Sequence, residues 1–293
     1  MQHKNTAPTN AGAPVGGLPQ AYLRGFPIRI REVLVLRRVQ LTPRMIRLTL
    51  GGQNMDRFES HIADEHVKLI FPDPDTGELR VPKQDDDHLH WPRPMPVTRD
   101  YTVRRYDAAA GEFDLDFVVH DHGTASDWAR TTPLGAPIWV AGPPRGVVIP
   151  DDFRWQAYFG DETALPAIAR RLEELPSAII GYAVIEVGSA DDELPLVAPP
   201  GMEIRWLHRN GAEPGTTRLL AEAAETIEIP QDGHSYVWAA GEAGSLKPLR
   251  KWIKAAGLGK HSSDVDGYWK RGEKSNQEPG VVGTIINRLA HGH

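Results

Sequence analysis

The stretch Ala141-Gly142-Pro143-Pro144-Arg145-Gly146-Val147-Val148-Ile149-Pro150-Asp151-Asp152-Phe153-Arg154-Trp155-Gln156-Ala157-Tyr158-Phe159-Gly160-Asp161-Glu162-Thr163-Ala164-Leu165-Pro166 contains the point where the chain changes its pattern. Up to Pro150, short apolar or alternating runs are broken by glycine and proline, which is the signature of β-strands in a barrel or sandwich. After Phe153 a short strand, Ala157-Tyr158-Phe159, runs into Gly160. Glu162–Leu175 then carries Leu165, Ile168, Leu172 and Leu175 at helical spacing. Pro166 falls in the first helical turn, where its missing N–H costs nothing.

Toward the N-terminus the β signal continues. Ile30, Val33, Val35 and Val39 form one run, and Met45–Leu50, His66–Phe71, Phe113–Val119 and Ile138–Ala141 form others. Asp73–Pro96 is polar and proline-rich and reads as a long mobile excursion. Residues 1–20 hold almost no large apolar side chain and read as a disordered leader. Toward the C-terminus strand and helix alternate. Ala178–Val187, Glu203–Leu207 and Ser235–Ala240 read as strands, and Thr216–Thr226 and Ser245–Ala256 as helices, with Pro248 in a first turn and Gly257 at an end. This predicts two domains: a β unit, barrel or sandwich, over 21–150 and an α/β unit with a parallel sheet over 151–257. A tail over 258–293 follows, with a short final helix at Gly283–Leu289.

The 293 residues suit about two domains. Apolar residues at 40% and charged residues at 25% suit a globular chain, and a net charge of −6 argues against a general nucleic-acid binder. The absence of cysteine excludes disulfides, iron–sulfur clusters, thiolate zinc sites and cysteine nucleophiles. No apolar run approaches the ~20 residues of a membrane span. Met1–Pro8 lacks the apolar core of a signal peptide. A cytoplasmic protein without stable membrane insertion is expected.

Neither G-x-G-x-x-G nor a Walker loop occurs. Instead Gly160–Pro166 and Gly241–Pro248 resemble each other: glycine at a strand end, an acid beside it, a small or hydroxyl residue, an early proline. Ligands bind at the carboxyl ends of parallel strands, and helix N-termini offer free N–H groups. Alternatively, Thr163 and Ser245 are ordinary helix caps. In the β unit, Arg99-Asp100-Tyr101-Thr102 offers on one strand a cation for phosphate, an aromatic plane and a hydroxyl. His120-Asp121-His122-Gly123-Thr124-Ala125-Ser126-Asp127-Trp128-Ala129 leads from a strand into a helix start suited to a diphosphate. Trp128 could cover an adenine or sit in the core. A metal at His120 and His122 lacks a third ligand at suitable spacing, so no metal site is expected. No hydrolase motif is present.

These residues resemble the siderophore-interacting proteins of the ferredoxin–NADP reductase superfamily, which are NAD(P)H-dependent ferric-siderophore reductases. The resemblance rests on Arg99–Arg105, Asp116–Ala129, Gly160–Pro166, Ala240–Leu246 and Tyr268–Gly272, in order along roughly 25–273. It implies an α+β two-domain fold, an N-terminal antiparallel β-barrel FAD-binding domain over 21–150 followed by a Rossmann-like α/β NAD(P)H-binding domain over 151–257, with the tail over the active-site region. Arg99 would pair with the FAD diphosphate, Tyr101 would pack along the flavin, and Thr102 would lie near its N5. Asp116, Val118, His120, Thr124, Ala125, Ser126 and Trp128 would form the diphosphate and adenine end. Asp161, Thr163, Ala164, Pro166, Gly241 and Glu242 would line the nicotinamide nucleotide site. Thr124 departs from the family pattern, which often has proline there.

The implied chemistry needs no acid–base pair, since a flavin takes two electrons from NAD(P)H and passes single electrons to chelated Fe(III). Ferric siderophores are often anionic, so a local basic pocket must override the net charge. Arg44, Arg47, Arg104, Arg105, Lys270 and Arg271 are the candidates for the substrate. Arg209 and the Lys270-Arg271 pair are candidates for a 2′-phosphate, which favours NADPH, with NADH possible. The expected partner is a ferric siderophore, and the chain is expected to be a monomer. The alternatives are a flavin reductase that releases reduced flavin, and a siderophore-binding module without catalysis.

Overall fold

The computed structural model describes residues 17–120 and 123–272. The N-terminal unit contains β1 (Tyr22–Gly25), β2 (Ile30–Thr42), β3 (Met45–Gly51), β4 (His66–Phe71), β5 (Lys83–Asp85), β6 (His88–His90), β7 (Val97–Thr102), β8 (Arg105–Asp107), β9 (Glu112–Val118), α1 (Thr124–Thr131), β10 (Pro137–Ala141) and β11 (Arg145–Val148). Seven strands form an antiparallel sheet in the order β7-β4-β10-β2-β3-β9-β8. Alternation along these strands points Val33, Val35, Leu48, Leu50, Val67, Leu69, Phe113, Leu115 and Phe117 into one core. Tyr101 on β7 meets Phe117 on β9, ring centroids 4.1 Å apart. Those strands lie near opposite ends of the sheet order, so the sheet is rolled around its core, as a barrel requires.

The C-terminal unit runs β12 (Trp155–Asp161), α2 (Leu165–Glu174), β13 (Ile180–Val187), β14 (Gly201–His208), α3 (Leu219–Glu225), β15 (Ser235–Glu242), α4 (Lys247–Ala255) and β16 (Ser263–Trp269). Its five-stranded sheet has the order β14-β13-β12-β15-β16, all parallel. The sheet continues past Gly257, where sequence reading ended the α/β unit, because β16 pairs with β15 from Val237↔Ser263 onward. Asp73–Pro96, expected as a long mobile excursion between strands, contains the small hairpin β5–β6. The leader expected over 1–20 lies outside the described residues up to 16. Leu18, Pro19 and Gln20 border a pocket together with Gln231 and Gly233 of the α/β unit, and the next residue, Ala21, donates its N–H to the His261 carbonyl at 2.8 Å. The helix expected at Gly283–Leu289 also lies outside the described residues.

The two units share an apolar interface. Met45, Leu41, Val118 and Val147 of the β unit join the cluster built on Tyr158, Leu165, Ile168, Leu172 and Tyr236. Among the described residues no helix is long and apolar enough to cross a membrane.

Candidate functional site

In the parallel sheet the strand order reverses between β12 and β15, and the crevice beyond their carboxyl ends is where such sheets hold ligands. Asp161 ends β12 and is buried. Its Oδ1 accepts from the Thr163 N–H (2.9 Å) and hydroxyl (2.5 Å). Its Oδ2 accepts from the Glu242 N–H (3.0 Å) and Trp269 Nε1 (2.8 Å). One carboxylate thus joins the ends of β12, β15 and β16. Burial pushes its pKa up, against the pull of the Thr163 and Trp269 donors. Gly241 is required beside it: φ is +145°, and a Cβ would stand 2.7 Å from Asp161 Oδ2. Gly160 lets helix and strand approach, since a Cβ there would lie 2.4 Å from that of Ala164.

Glu242 closes the second turn. Its carboxylate accepts from the Ser245 N–H (2.6 Å) and the Arg271 N–H (3.2 Å). Burial opposes its charge, but these backbone donors prevail and hold its pKa below the usual carboxylate range. Thr163 and Ser245 are not helix caps. The N-caps of α2 and α4 are Ala164 and Leu246, without side-chain caps, and Pro166 and Pro248 open the helices.

A cavity of about 400 Å³ opens over these ends, with Arg218, Lys247, Lys270 and Arg271 among its lining residues. Its two acids have protein partners. Glu186 accepts from the Thr217 hydroxyl at 2.7 Å, and Glu242 is held as described. Among the described residues no carboxylate lies within ion-pair range of Lys247 or the Arg271 guanidinium. Sequence reading missed Arg218 and Lys247, and nothing in their local spacing marks them. Arg209, expected at a 2′-phosphate, is instead committed to two buried carboxylates. Its side chain is 1% exposed, chelated by Glu162 (Nη1 to Oε2, 2.8 Å) and 3.6 Å from Glu186.

Across the crevice lies β7. Arg99 is half-buried and donates to the Thr98 carbonyl at 2.7 Å. No carboxylate pairs with it among the described residues, and burial pushes its pKa down. Tyr101 presents its ring against Phe117. Thr102 is buried, and the Tyr268 hydroxyl of β16 lies beside its side chain, so the two units meet there. Burial drives the Tyr268 pKa well up, and Asp64 and Asp266 add to that. The first turn of α1 starts at Gly123 with no side-chain cap, which leaves backbone N–H groups of Thr124, Ala125 and Ser126 without intrahelical partners. The Ser126 hydroxyl is used by the His120 backbone, at 3.1 Å in both directions. Trp128 packs on Phe71 and Phe117. Asp121 and His122 lie outside the described residues.

Most of the other expected cations have acidic partners. Arg47 forks onto Asp116 (2.7 and 2.8 Å), its register partner on β9, so these two expected site residues neutralise each other. Arg104 pairs with Glu173 of α2, and Arg105 with Asp114. Arg44 lies 3.7 Å from Asp192. Val118 belongs to the apolar interface. Of the residues proposed for substrate, Lys270 and Arg271 border the cavity.

A half-buried, carboxylate-free Arg99, an aromatic wall at Tyr101 and an uncapped α1 fit the diphosphate and ring system of FAD. The two rolled and wound units with these facing sites define a two-domain flavin oxidoreductase. Residues 34–147 match the siderophore-interacting FAD-binding domain, and 153–272 match the siderophore-interacting protein model. The chain belongs to the siderophore-interacting protein family. It is 35% identical over 245 residues to the ferric vibriobactin reductase ViuB of Vibrio cholerae, covering 81% of this chain and 88% of ViuB. It is 34% identical to the NADPH-dependent ferric-chelate reductase of Escherichia coli, covering 83% and 93%. A siderophore utilization protein from T. fusca superposes with a TM-score of 0.82 at 45% identity, covering 88% of this chain and 99% of that one.

Proposed function

We propose that this protein is a ferric-siderophore reductase in which FAD on the β unit takes electrons from NADPH on the α/β unit and passes them to chelated Fe(III). The supporting observation is the packing of Tyr268 of β16 into the apolar cluster that Met45, Val118 and Val147 of the β unit share with the α/β unit, which brings the β unit against the strand ends carrying Asp161 and Glu242. FAD supplies the conversion of a two-electron donor into single electrons. The chain's own residues bind and orient. Arg99 and the α1 N-terminus hold the diphosphate. Tyr101 and Phe117 wall the ring. Thr163, on the turn held by Asp161, positions the nicotinamide, while Ala164 and Pro166, both buried, shape that turn. Lys247, Lys270 and Arg271 draw the phosphate of NADPH into the cavity. Lys270 and Arg271 also offer an anionic chelate a cationic edge. The reading includes a cytoplasmic reaction, where reduced nicotinamide is at hand, and a monomer, in keeping with a site whose named groups all lie on one chain.

The test is an anaerobic titration of FAD-loaded protein. NADPH bleaches the flavin absorbance, and a ferric catecholate restores it. Protein that takes up no FAD, or whose flavin stays oxidised under NADPH, refutes the reading. Loss of reduced FAD on dialysis would instead mark a flavin-releasing reductase.

A further inference from the structure

Helix α2 begins at the nucleotide turn, and its second half reaches into the β unit. Arg170 is 7% exposed. Its Nη1 donates to the Val103 carbonyl and to Ser60 Oγ, both at 2.8 Å, and lies 3.5 Å from Glu65 Oε1. Its Nε donates to Glu174 at 2.7 Å. Glu65 is fully buried. One turn on, Glu173 accepts from Arg104 at 2.9 Å. Val103 and Arg104 directly follow Thr102. The same helix therefore starts at the Asp161–Pro166 turn and grips the residues next to Thr102.

The geometry points to Arg170, assisted by Glu173, as a positioning residue that fixes the distance between the nicotinamide turn and the flavin-facing strand. It touches neither cofactor. A buried arginine forked between a carbonyl, a hydroxyl and a carboxylate resists sliding in every direction, which an apolar interface alone does not. Such spacing matters because a misplacement of about 1 Å between reacting partners costs on the order of a hundredfold in rate. The inference rests on the reading above of which cofactor each unit holds.

The test uses Arg170→Lys and the charge-neutral double variant Glu65→Gln/Arg170→Met, which leaves no unpaired buried charge. In stopped flow with FAD-loaded protein, NADPH should reduce the flavin at least tenfold more slowly in the double variant and at least threefold more slowly in the lysine variant. FAD affinity, and the oxidation of dithionite-reduced protein by ferric EDTA, should stay within twofold of the parent. A second readout needs no cofactor. The chain lacks cysteine, so Leu134→Cys and Val197→Cys, both exposed, take unique spin labels on the two units. The inter-label distance distribution should broaden when the Arg170 changes are added. Unchanged flavin reduction, an unchanged distance distribution, or a parallel fall in all three flavin measurements overturns the inference. If the double variant does not fold, the lysine variant decides on the same comparison. Failure of the parent protein to bind FAD or to react with NADPH is a separate result, against the functional reading itself.

Discussion

Arg99 and Arg209 carry the same charge in opposite settings. Arg99 keeps a half-buried guanidinium with a single backbone acceptor, so an incoming phosphate gains a partner that has already lost part of its water. Arg99→Ala should weaken FAD binding by about 1.5–3 kcal/mol, roughly ten- to a hundredfold in Kd. A fluorescence titration checks this, and an unchanged Kd removes Arg99 from the site. Arg209 is buried between Glu162 and Glu186. Arg209→Ala leaves two acids without their cation and should cost about 3–5 kcal/mol of stability in urea unfolding. The preference for NADPH over NADH should not change. Lys270→Ala with Arg271→Ala should behave in the reverse way, raising the NADPH KM with stability nearly intact. A shift in coenzyme preference on changing Arg209 would return it to the nucleotide site. Both arginines were visible as cations in the sequence. Their roles were not, because a charge is spent or available according to its neighbours in space.

At the scale of elements, three parallel strands end on one carboxylate. Asp161 can serve β15 because Gly241 has no side chain and adopts a φ that other residues avoid. Gly241→Ala should disturb the junction of β12, β15 and β16 while the β unit stays intact. The expected result is loss of NADPH-driven flavin reduction with FAD retention unchanged, read on the same sample by absorbance and ultrafiltration. Equal loss of both would mean that the two units do not divide the cofactors between them. The two Gly-acid-proline turns were legible as strand-to-helix junctions because glycine, an acid and an early proline are local signals. That their acids serve as organisers was not legible, since Asp161 receives the Glu242 backbone N–H and the Trp269 indole N–H from two other strands, and Glu242 receives the Arg271 N–H from beyond β16. The fifth strand was missed because Ser263–Trp269 is polar and only half-buried, so its apolar pattern is weak.

At the scale of the molecule, the junction between units holds acids facing one another. Asp64 of the β unit and Asp264 of β16 are raised to about 7 and about 6. Burial is the main cause for each, with Asp264 acting on Asp64 and Asp266 acting on Asp264. Glu65 also faces Asp64, which receives the Val147 N–H, and Arg250 partly offsets the charge at Asp264. Both groups bind protons more tightly folded than unfolded. Their contribution is therefore fully present below about pH 4 and is lost as pH rises through about 6 to 7. The melting temperature should fall between pH 5 and pH 8, and Asp64→Asn should flatten that slope. A slope unaltered by the substitution would exclude Asp64 as its source. The order of β unit and α/β unit, the Arg99-x-Tyr101-Thr102 strand and the paired turns were determined by the sequence alone. Periodicity, punctuation by glycine and proline, and motif order are written along the chain. Which charges remain available was decided by the tertiary structure. Arg47 finds Asp116 across 69 residues, Arg209 finds Glu162 across 47, and Arg170 finds Val103 across 67. Electrostatic pairing acts through distance in space, and local patterning carries no record of it.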